Sequence, residues 1–359
     1  MGGKQSKSKL SSSLSPLSSS AGCCGFLCNK KRKNPNSKKS KHDVEDISNE
    51  IGRNSLSSSR HSMPNYSWMD GRRFLEDSNY LLPKDDEEID RSNTIHFLVK
   101  HVLNGNYKAP ITDTMKKCLD VGSGNGAWLM DMASEFPDVS FIGVDIDLQS
   151  PSAIYPQNCQ FDTCDILGGL PYEDETFDYV HCRWVICWLP REKFRFVLEE
   201  MIRVTKRGGW IEFLESNFAE VRNPGPVFKS LWNTWKEISE LRRYDNHVIM
   251  TLEKILRELP VDKLSSTKIS VPFGEKGEKT GEIWKGILSG AYTAMSPKWR
   301  EYLNISAEQM HELIDAVLKE HDERGVHTNW YLFVGQRKFR SNDDAIANED
   351  DTASEFEIV

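Results

Sequence analysis

The glycine-rich stretch CLDVGSGNGAW has the residue types of a turn that holds a ligand. Gly122, Gly124 and Ala127 fit the dinucleotide-binding pattern G-x-G-x-x-[GA]. Asp120, Gly122, Gly124 and Gly126 also fit a second pattern, acid-x-G-x-G-x-G. Because glycine permits positive φ and a close approach of the backbone to a ligand, both patterns predict a nucleoside-containing cofactor at this turn.

The charge of Asp120 distinguishes the two candidate cofactors. A carboxylate in the turn would repel the pyrophosphate of NAD, whereas S-adenosylmethionine places an ammonium and a sulfonium there, which a carboxylate attracts. Two later acids complete a nucleoside site, since Asp145 suits the ribose hydroxyls and Asp165 is suited to accept from the adenine amino group. The sequence favours S-adenosylmethionine and keeps NAD as the alternative.

Candidates for proton transfer and anion binding occur in the segment VHCRW. His181 is a candidate general base for an acceptor that must lose a proton, with a packed, hydrogen-bonded histidine as the alternative. Arg183 is a candidate anchor for a carboxylate of the cofactor or of the substrate. Asp90 and Arg91 either lie on a helix that closes over the cofactor or form a surface ion pair. No cysteine pair or histidine has the spacing of metal ligands.

The elements that must position these residues follow from hydrophobic periodicity. Strands are predicted at 115–121, 140–145, 159–163, 177–183 and 210–215, alternating with helices at 127–136 and 191–206, after an acid-led helix in LLPKDDEEIDRSNTIHFLVKHVL. Helices at 227–243, 246–258, 280–294 and 306–324, a strand at 262–272 and a closing edge strand in HTNWYLFVGQRK follow. Alternating strands and helices predict an α/β fold with a mostly parallel sheet and ligands at the carboxyl ends of its strands.

Four segments resemble the motifs of one enzyme family. LDVGSGNG, FIGVDID, CDILGGLPYEDETFDYVHCRW and MIRVTKRGGWIEFLE resemble motifs I, II, III/IV and V of class I S-adenosylmethionine-dependent methyltransferases. LLPKDDEEIDRSNTIHFLV and VHCRW are similar to a fungal branch related to the methyltransferase regulators of secondary metabolism. The resemblance covers about residues 80–338. It implies a Rossmann-like sandwich with a mostly parallel seven-stranded sheet and an antiparallel closing strand.

The resemblance also implies roles for individual residues. It places the methionine moiety against the turn, the ribose on the acid of the second strand and the adenine on the third strand end, which assigns Asp120, Gly122, Ser123, Gly124, Gly126, Asp145, Ile146, Asp165 and Ile166 to the cofactor. It adds substrate-covering helices at about 217–325, where Trp232, Trp235 and Trp284 either pack in the core or line an apolar or aromatic acceptor site. The motifs are specific for the cofactor and not for the methyl acceptor.

Charge is unevenly distributed along the 359 residues, whose net charge is −8. Residues 1–42 carry ten Lys and Arg and no acid, and the last nineteen residues carry seven acids and no Lys or Arg. This predicts a disordered basic Ser/Lys-rich arm at 1–65, a single domain at 66–340 with its cofactor core at about 112–216, and a disordered acidic tail at 341–359. An acidic body argues against nucleic acid as a partner.

The arm begins MGGKQSKS, which fits the N-myristoylation pattern at Gly2. Cys23, Cys24 and Cys28 are candidate palmitoylation sites, and the KKRK run suits anionic lipid. Peripheral membrane association is the expectation, with a solvated basic tail or a nuclear-import patch as the alternatives. Scattered cysteines, no membrane-spanning apolar run and no signal peptide favour an intracellular, cytoplasmic protein and leave the nucleus open.

The sequence therefore predicts an S-adenosylmethionine-dependent methyltransferase that acts on a small-molecule or protein acceptor. Two alternatives remain. One is a regulatory protein that keeps the fold for partner binding without turnover, and the other is an NAD-dependent oxidoreductase. The acceptor atom and the oligomeric state stay open.

Overall fold

The computed structural model describes residues 65–76, 78, 80–148 and 155–339. The predicted arm and tail, with the lipidation candidates Gly2, Cys23, Cys24 and Cys28, lie outside the described residues. Within the described ranges, no helix combines the length and the apolar character that crossing a membrane requires.

The described chain begins with a hairpin and a long helix and then alternates strands with helices. The first elements are β1 (Tyr66–Met69), β2 (Arg72–Leu75) and α1 (Asp86–Leu103). The alternating part contains β3 (Lys117–Val121), α2 (Ala127–Glu135), β4 (Ser140–Asp145), β5 (Cys159–Thr163), β6 (Phe177–Arg183), α3 (Phe194–Val204) and β7 (Thr205–Arg222). The last elements are α4 (Pro226–Arg242), α5 (Val248–Glu258), β8 (Val261–Pro272), α6 (Glu278–Leu303), α7 (Ala307–Arg324) and β9 (His327–Arg337).

The main sheet has seven strands in the order β5-β4-β3-β6-β7-β9-β8. The pairs from β5 to β7 are parallel, and β9 is antiparallel to both β7 and β8. This confirms the predicted α/β fold with a mostly parallel seven-stranded sheet and an antiparallel closing strand. The strand order reverses between β3 and β6, and ligands of open parallel sheets bind at the carboxyl ends of the strands at such a point.

Helices cover both faces of the sheet, and the apolar side chains on the two sides of β3 are buried beneath them. Cys118 belongs to a core that includes residues of α1, α2 and α6, whereas Leu119 and Val121 belong to a second core with α3 and α5. Successive side chains of a strand point to opposite faces, so Asp120 faces the side of α1, α2 and α6. That side holds the functional site.

Two predicted helix bounds are wrong because of contacts with the rest of the fold. The helix predicted at 191–206 is a 3₁₀ turn at Arg191–Lys193 followed by α3, and the chain enters β7 at Thr205. The Thr205 hydroxyl donates to the Met201 carbonyl at 2.7 Å at the end of α3. The Thr205 backbone is already paired with Phe177 in the sheet. The helix predicted at 280–294 continues to Leu303 through Pro297, because Pro297 and Trp299 are both buried in the core.

The hairpin of β1 and β2 is not predicted by the sequence. Arg72 forms a bidentate ion pair with Asp85, the residue that caps the start of α1. Asp70, in the turn of the hairpin, pairs with Arg300 of α6. The hairpin is therefore attached to the two helices that lie over the site, α1 and α6.

Candidate functional site

The glycine turn after β3 has a backbone that only glycine adopts easily. Gly122, Gly124 and Gly126 have φ values of 71°, 56° and 77°, in the region that other L-residues avoid. A Cβ on Gly122 would stand 2.1 Å from Cγ2 of Val185, whereas nothing lies within 4 Å of a Cβ position on Gly124. Gly122 is therefore required by packing against the segment after β6, and Gly124 borders open space.

Asp120 and His181 face each other on neighbouring strands. They are paired in the register of β3 and β6, and Nδ1 of His181 lies 2.8 Å from Oδ1 of Asp120. The imidazole stacks on the indole of Trp128 with 3.7 Å between ring centroids. Both members of the pair are buried, yet both border the same cavity. The second carboxylate oxygen of Asp120 has no hydrogen-bond partner within the part of the chain that the structure describes, so it is available to a cation.

Asp145, at the end of β4, is held by the glycine turn and by a buried lysine. The Gly124 amide donates to Oδ2 at 3.0 Å, and Lys84 Nζ lies 3.2 Å from Oδ1. The Asp147 amide also donates to Oδ1, and the Tyr66 hydroxyl donates to the Asp147 carboxylate at 2.8 Å. Lys84 and Tyr66 thus join the segment before α1 to the predicted ribose site. Sequence reasoning missed Lys84, whose partner is 61 residues away in the chain.

The adenine candidates line the same cavity on the far side of Asp145. Asp165 is exposed and its carboxylate accepts from the Leu167 amide at 3.0 Å, which caps a 3₁₀ turn. Ile146 is 38% exposed, and Ile166 is buried. Ser123 is buried beneath the turn, and its hydroxyl has no partner among the described residues. The structure therefore brings the predicted cofactor residues to one cavity, with the exception of Gly126. Gly126 packs against Phe161 instead, since a Cβ there would stand 2.6 Å from the Phe161 ring.

Arg183 ends β6 as a cation without a matching anion. No carboxylate lies within 4 Å of its guanidinium among the residues that the structure describes, and it borders the cavity. Its Nη2 lies 3.5 Å from Nδ1 of His96, and burial lowers the pKa of Arg183 to about 10. Burial and the Arg183 charge lower the pKa of His96 to about 4, so His96 is a neutral neighbour that binds Asp131 through Nε2. A buried cation without a partner is costly, so this one favours an anionic ligand.

The chain leaves β6 through a strained residue. Trp184 has φ of 53°, which is rare for a bulky non-glycine residue and is found at functional sites. The turn is held by Glu215 of β7, whose Oε1 accepts from the Val185 and Ile186 amides at 3.1 and 2.9 Å. Burial raises the pKa of Glu215 to about 7. The strain and its support were not predicted from the sequence.

The helix α1 contributes a second buried ion pair. Arg91 donates through Nε to Glu88 at 2.8 Å and forms a further bond to the other oxygen of the same carboxylate. Glu88 is buried and both residues border the cavity, whereas Asp90 is exposed. The surface pair between Asp90 and Arg91 that the sequence suggested is not formed.

Beyond the glycine turn, the cavity continues between α4, α6 and the segment after β6, with a total volume of about 510 Å³. Trp232, Trp235 and Trp284 all border it. Trp284 also serves the core, since it is buried and its indole N–H donates to the Thr328 hydroxyl at 2.7 Å. The wall of this part is dominated by aromatic and aliphatic side chains, as in sites that bind small molecules.

A glycine turn after the central strand, an acid before it and an acid at the next strand end form the cofactor site of a class I methyltransferase. The cofactor of this class is S-adenosylmethionine, and the residues present fit it. Asp120 offers an unpaired carboxylate oxygen for an ammonium, and the open space at Gly124 admits a ligand against the backbone.

Comparison with known proteins identifies the same class. Residues 118–209 match the family described as methyltransferase domain. N-methyltransferase verN of Clonostachys rogersoniana is 37% identical over 154 residues, 41% of this chain and 54% of that protein. Secondary metabolism regulator laeA of Aspergillus flavus is 29% identical over 281 residues, 73% of this chain and 74% of that protein. The chain carries a methyltransferase domain, as predicted, and the match spans about half the length of verN.

A solved structure of Haemonchus contortus phosphoethanolamine N-methyltransferase 2 in complex with S-adenosyl-L-methionine is also similar. It has a TM-score of 0.41 and 17% sequence identity, and the match covers 69% of this chain and 57% of that chain.

Proposed function

We propose that this protein transfers a methyl group from S-adenosylmethionine to a small-molecule acceptor. The observation that carries the proposal is the continuity of one cavity, which runs from the glycine turn and Asp120 into an aromatic-walled space beside α4 and α6. A cofactor at the turn and an acceptor in that space would meet without crossing bulk water.

The charges at the ends of β3 and β6 suit the amino-acid end of the cofactor. In this proposal, the free oxygen of Asp120 binds the ammonium and Arg183 binds the carboxylate. The two side chains lie close enough for the Asp120 charge to raise the pKa of Arg183 against the effect of burial. Asp145 binds the ribose and Asp165 the adenine edge.

When bound, the cofactor supplies a methyl group whose bond to sulfur breaks as the acceptor's lone pair forms the new bond, with the old bonding pair left on sulfur. The protein has to align the acceptor and exclude water. His181 is the proposed general base. With its Nδ1–H donated to Asp120, its Nε2 carries the lone pair that would take the acceptor's proton.

Calorimetry with S-adenosylhomocysteine tests the cofactor assignment. The wild type is expected to bind, and Asp120→Asn, which keeps the shape of the side chain and removes its charge, is expected to bind at least about tenfold more weakly. Asp113→Asn, at an exposed position before β3, is the matched control. Wild-type protein that shows no binding would overturn the proposal.

A second candidate function is a regulatory protein that keeps the methyltransferase fold without turnover. It is supported by the similarity to a protein named secondary metabolism regulator laeA. Release of S-adenosylhomocysteine in a cell extract, lost in Asp120→Asn and in His181→Gln, would favour the enzyme. Cofactor binding without such release would favour the regulator, and binding of NADH in place of S-adenosylhomocysteine would favour the oxidoreductase.

A further inference from the structure

The acceptor end of the cavity is walled by aromatic rings, most of which contact one another. We name this wall, formed by Tyr80, Trp184, Trp188, Trp235, Tyr292 and Trp299, the aromatic chamber. Trp188 meets Tyr80 and Trp235 edge to face, with 5.2 and 6.2 Å between ring centroids. Trp299 continues the chain of contacts to Trp235 and Tyr292 at 6.1 and 6.0 Å. Such a wall presents flat apolar faces and positive ring edges to a ligand.

Two of the three Lys and Arg side chains that border the cavity already have a carboxylate partner. Arg91 neutralises Glu88 with two hydrogen bonds to its carboxylate. Lys84 is paired with Asp145 at 3.2 Å. The third cation of the cavity lining, Arg183, has no carboxylate within 4 Å among the described residues, and the proposed function uses it for the cofactor. A charged acceptor would therefore lose its hydration without gaining a counter-ion.

The polar groups left in the chamber are neutral. Neither the Tyr80 nor the Tyr292 hydroxyl has a hydrogen-bond partner within the described ranges, and both residues border the cavity. Burial raises the pKa of both phenols, so both stay protonated at neutral pH. The Ser216 hydroxyl accepts from the Trp184 indole at 2.9 Å, and its own O–H remains free to donate. Each phenol can donate to, or accept from, an uncharged heteroatom, whereas the Trp299 indole N–H, which has no partner within the described ranges, can only donate.

We infer that the methyl acceptor is an uncharged, flat and mainly apolar small molecule whose hydroxyl or amino group is hydrogen-bonded by Tyr80 or Tyr292 in the aromatic chamber. This inference rests on the proposed function and narrows it. In this inference, the strand ends bind the charged groups of the cofactor, and the aromatic chamber between α4 and α6 selects the acceptor by its shape. It also excludes an extended peptide, whose unpaired backbone groups the apolar wall could not satisfy.

Three probes that share one ring system and differ in charge test the inference. Protein saturated with S-adenosylhomocysteine is titrated at neutral pH with 2-naphthol, 2-naphthoate and protonated 2-naphthylmethylamine in a calorimeter. We expect 2-naphthol to bind at least about tenfold more tightly than either charged probe. Tyr292→Phe is expected to weaken 2-naphthol by about three- to tenfold, and Trp235→Leu by more.

Matched controls come from the same molecule. Tyr302→Phe removes an exposed phenol from the same helix, and Trp68→Leu removes a tryptophan that is 67% exposed. Both are expected to bind 2-naphthol as the wild type does. Thermal unfolding and binding of S-adenosylhomocysteine show whether each variant is folded. Tyr292→Phe removes a single oxygen atom, so it tests the hydroxyl without changing the shape of the ring.

Each unexpected binding result leads to a different conclusion. Tighter binding of 2-naphthoate would overturn the inference and assign Arg183 to the acceptor. Tighter binding of the ammonium probe would overturn it in favour of a cation cage. No probe bound by protein that binds S-adenosylhomocysteine would show that the chamber is not an acceptor site. Failure to bind S-adenosylhomocysteine would instead overturn the proposed function.

Discussion

Glu215→Gln is expected to remove a pH dependence of stability that one buried carboxyl creates. In the unfolded chain Glu215 ionises near the ordinary pKa of 4.5, and in the folded protein it ionises near about 7 because burial disfavours the charge. Between these values the unfolded chain has lost the proton and the folded protein still holds it. Unfolding therefore releases a proton, and the free energy of unfolding falls as pH rises through this window.

The size of the effect follows from the two pKa values. Each pH unit between them corresponds to about 1.4 kcal/mol, so the full contribution is about 3 kcal/mol, present below the unfolded pKa and lost above the folded one. A glutamine keeps a carbonyl oxygen for the Val185 and Ile186 amides and does not titrate. The stability of Glu215→Gln relative to the wild type should rise by about 2 to 3 kcal/mol from about pH 5 to about pH 8.5.

Urea unfolding followed by tryptophan fluorescence, at four pH values across this window, measures the difference directly. Glu301→Gln, at an exposed position of α6, is the control and should give a difference that does not change with pH. Parallel stability curves for the wild type and Glu215→Gln would refute the reasoning. They would mean that the two amide hydrogen bonds offset the cost of burying the charge.

Four further predictions concern the cofactor site, the glycine turn and the arm. Lys84→Met should lower the free energy of unfolding by about 3 kcal/mol in urea, because it leaves the buried Asp145 charge without its lysine, and wild-type stability would contradict this. Gly124→Ala should fold and bind S-adenosylhomocysteine less tightly in a calorimeter. Gly122→Ala should melt lower than Gly124→Ala, because its added methyl would overlap a valine 2.1 Å away, and equal melting temperatures would argue against that packing. An alkyne myristate analogue should label the protein in a native host through Gly2, and label that survives Gly2→Ala would rule out that site.

The parts of the fold that local sequence specifies were predicted closely. The strands predicted at 140–145 and 177–183 coincide with β4 and β6. Each ends in a charged residue, Asp145 or Arg183, so its end is visible in a short window. The glycine turn was equally accessible, because the alternation of Gly122, Gly124 and Gly126 has few structural explanations.

The missed features depend on contacts between distant parts of the chain. Lys84 lies in a segment rich in charges, and only the fold reveals that it is the one buried against Asp145. Glu215 ends a predicted strand, where a charged side chain normally reaches water, and its burial follows from the turn after β6. The continuation of α6 through Pro297 opposes local propensity and is explained by tertiary packing.

The cavity is lined by strand ends on one side and by helices on the other, and this affects how its specificity can change in evolution. Asp120, Asp145 and Arg183 stand on adjoining parallel strands, where the register of the sheet fixes their positions relative to one another. Trp235 and Tyr292 stand on α4 and α6, outside that register. Under the proposed function, substitutions along those two helices would change which acceptor is bound while the methyl donor stays the same.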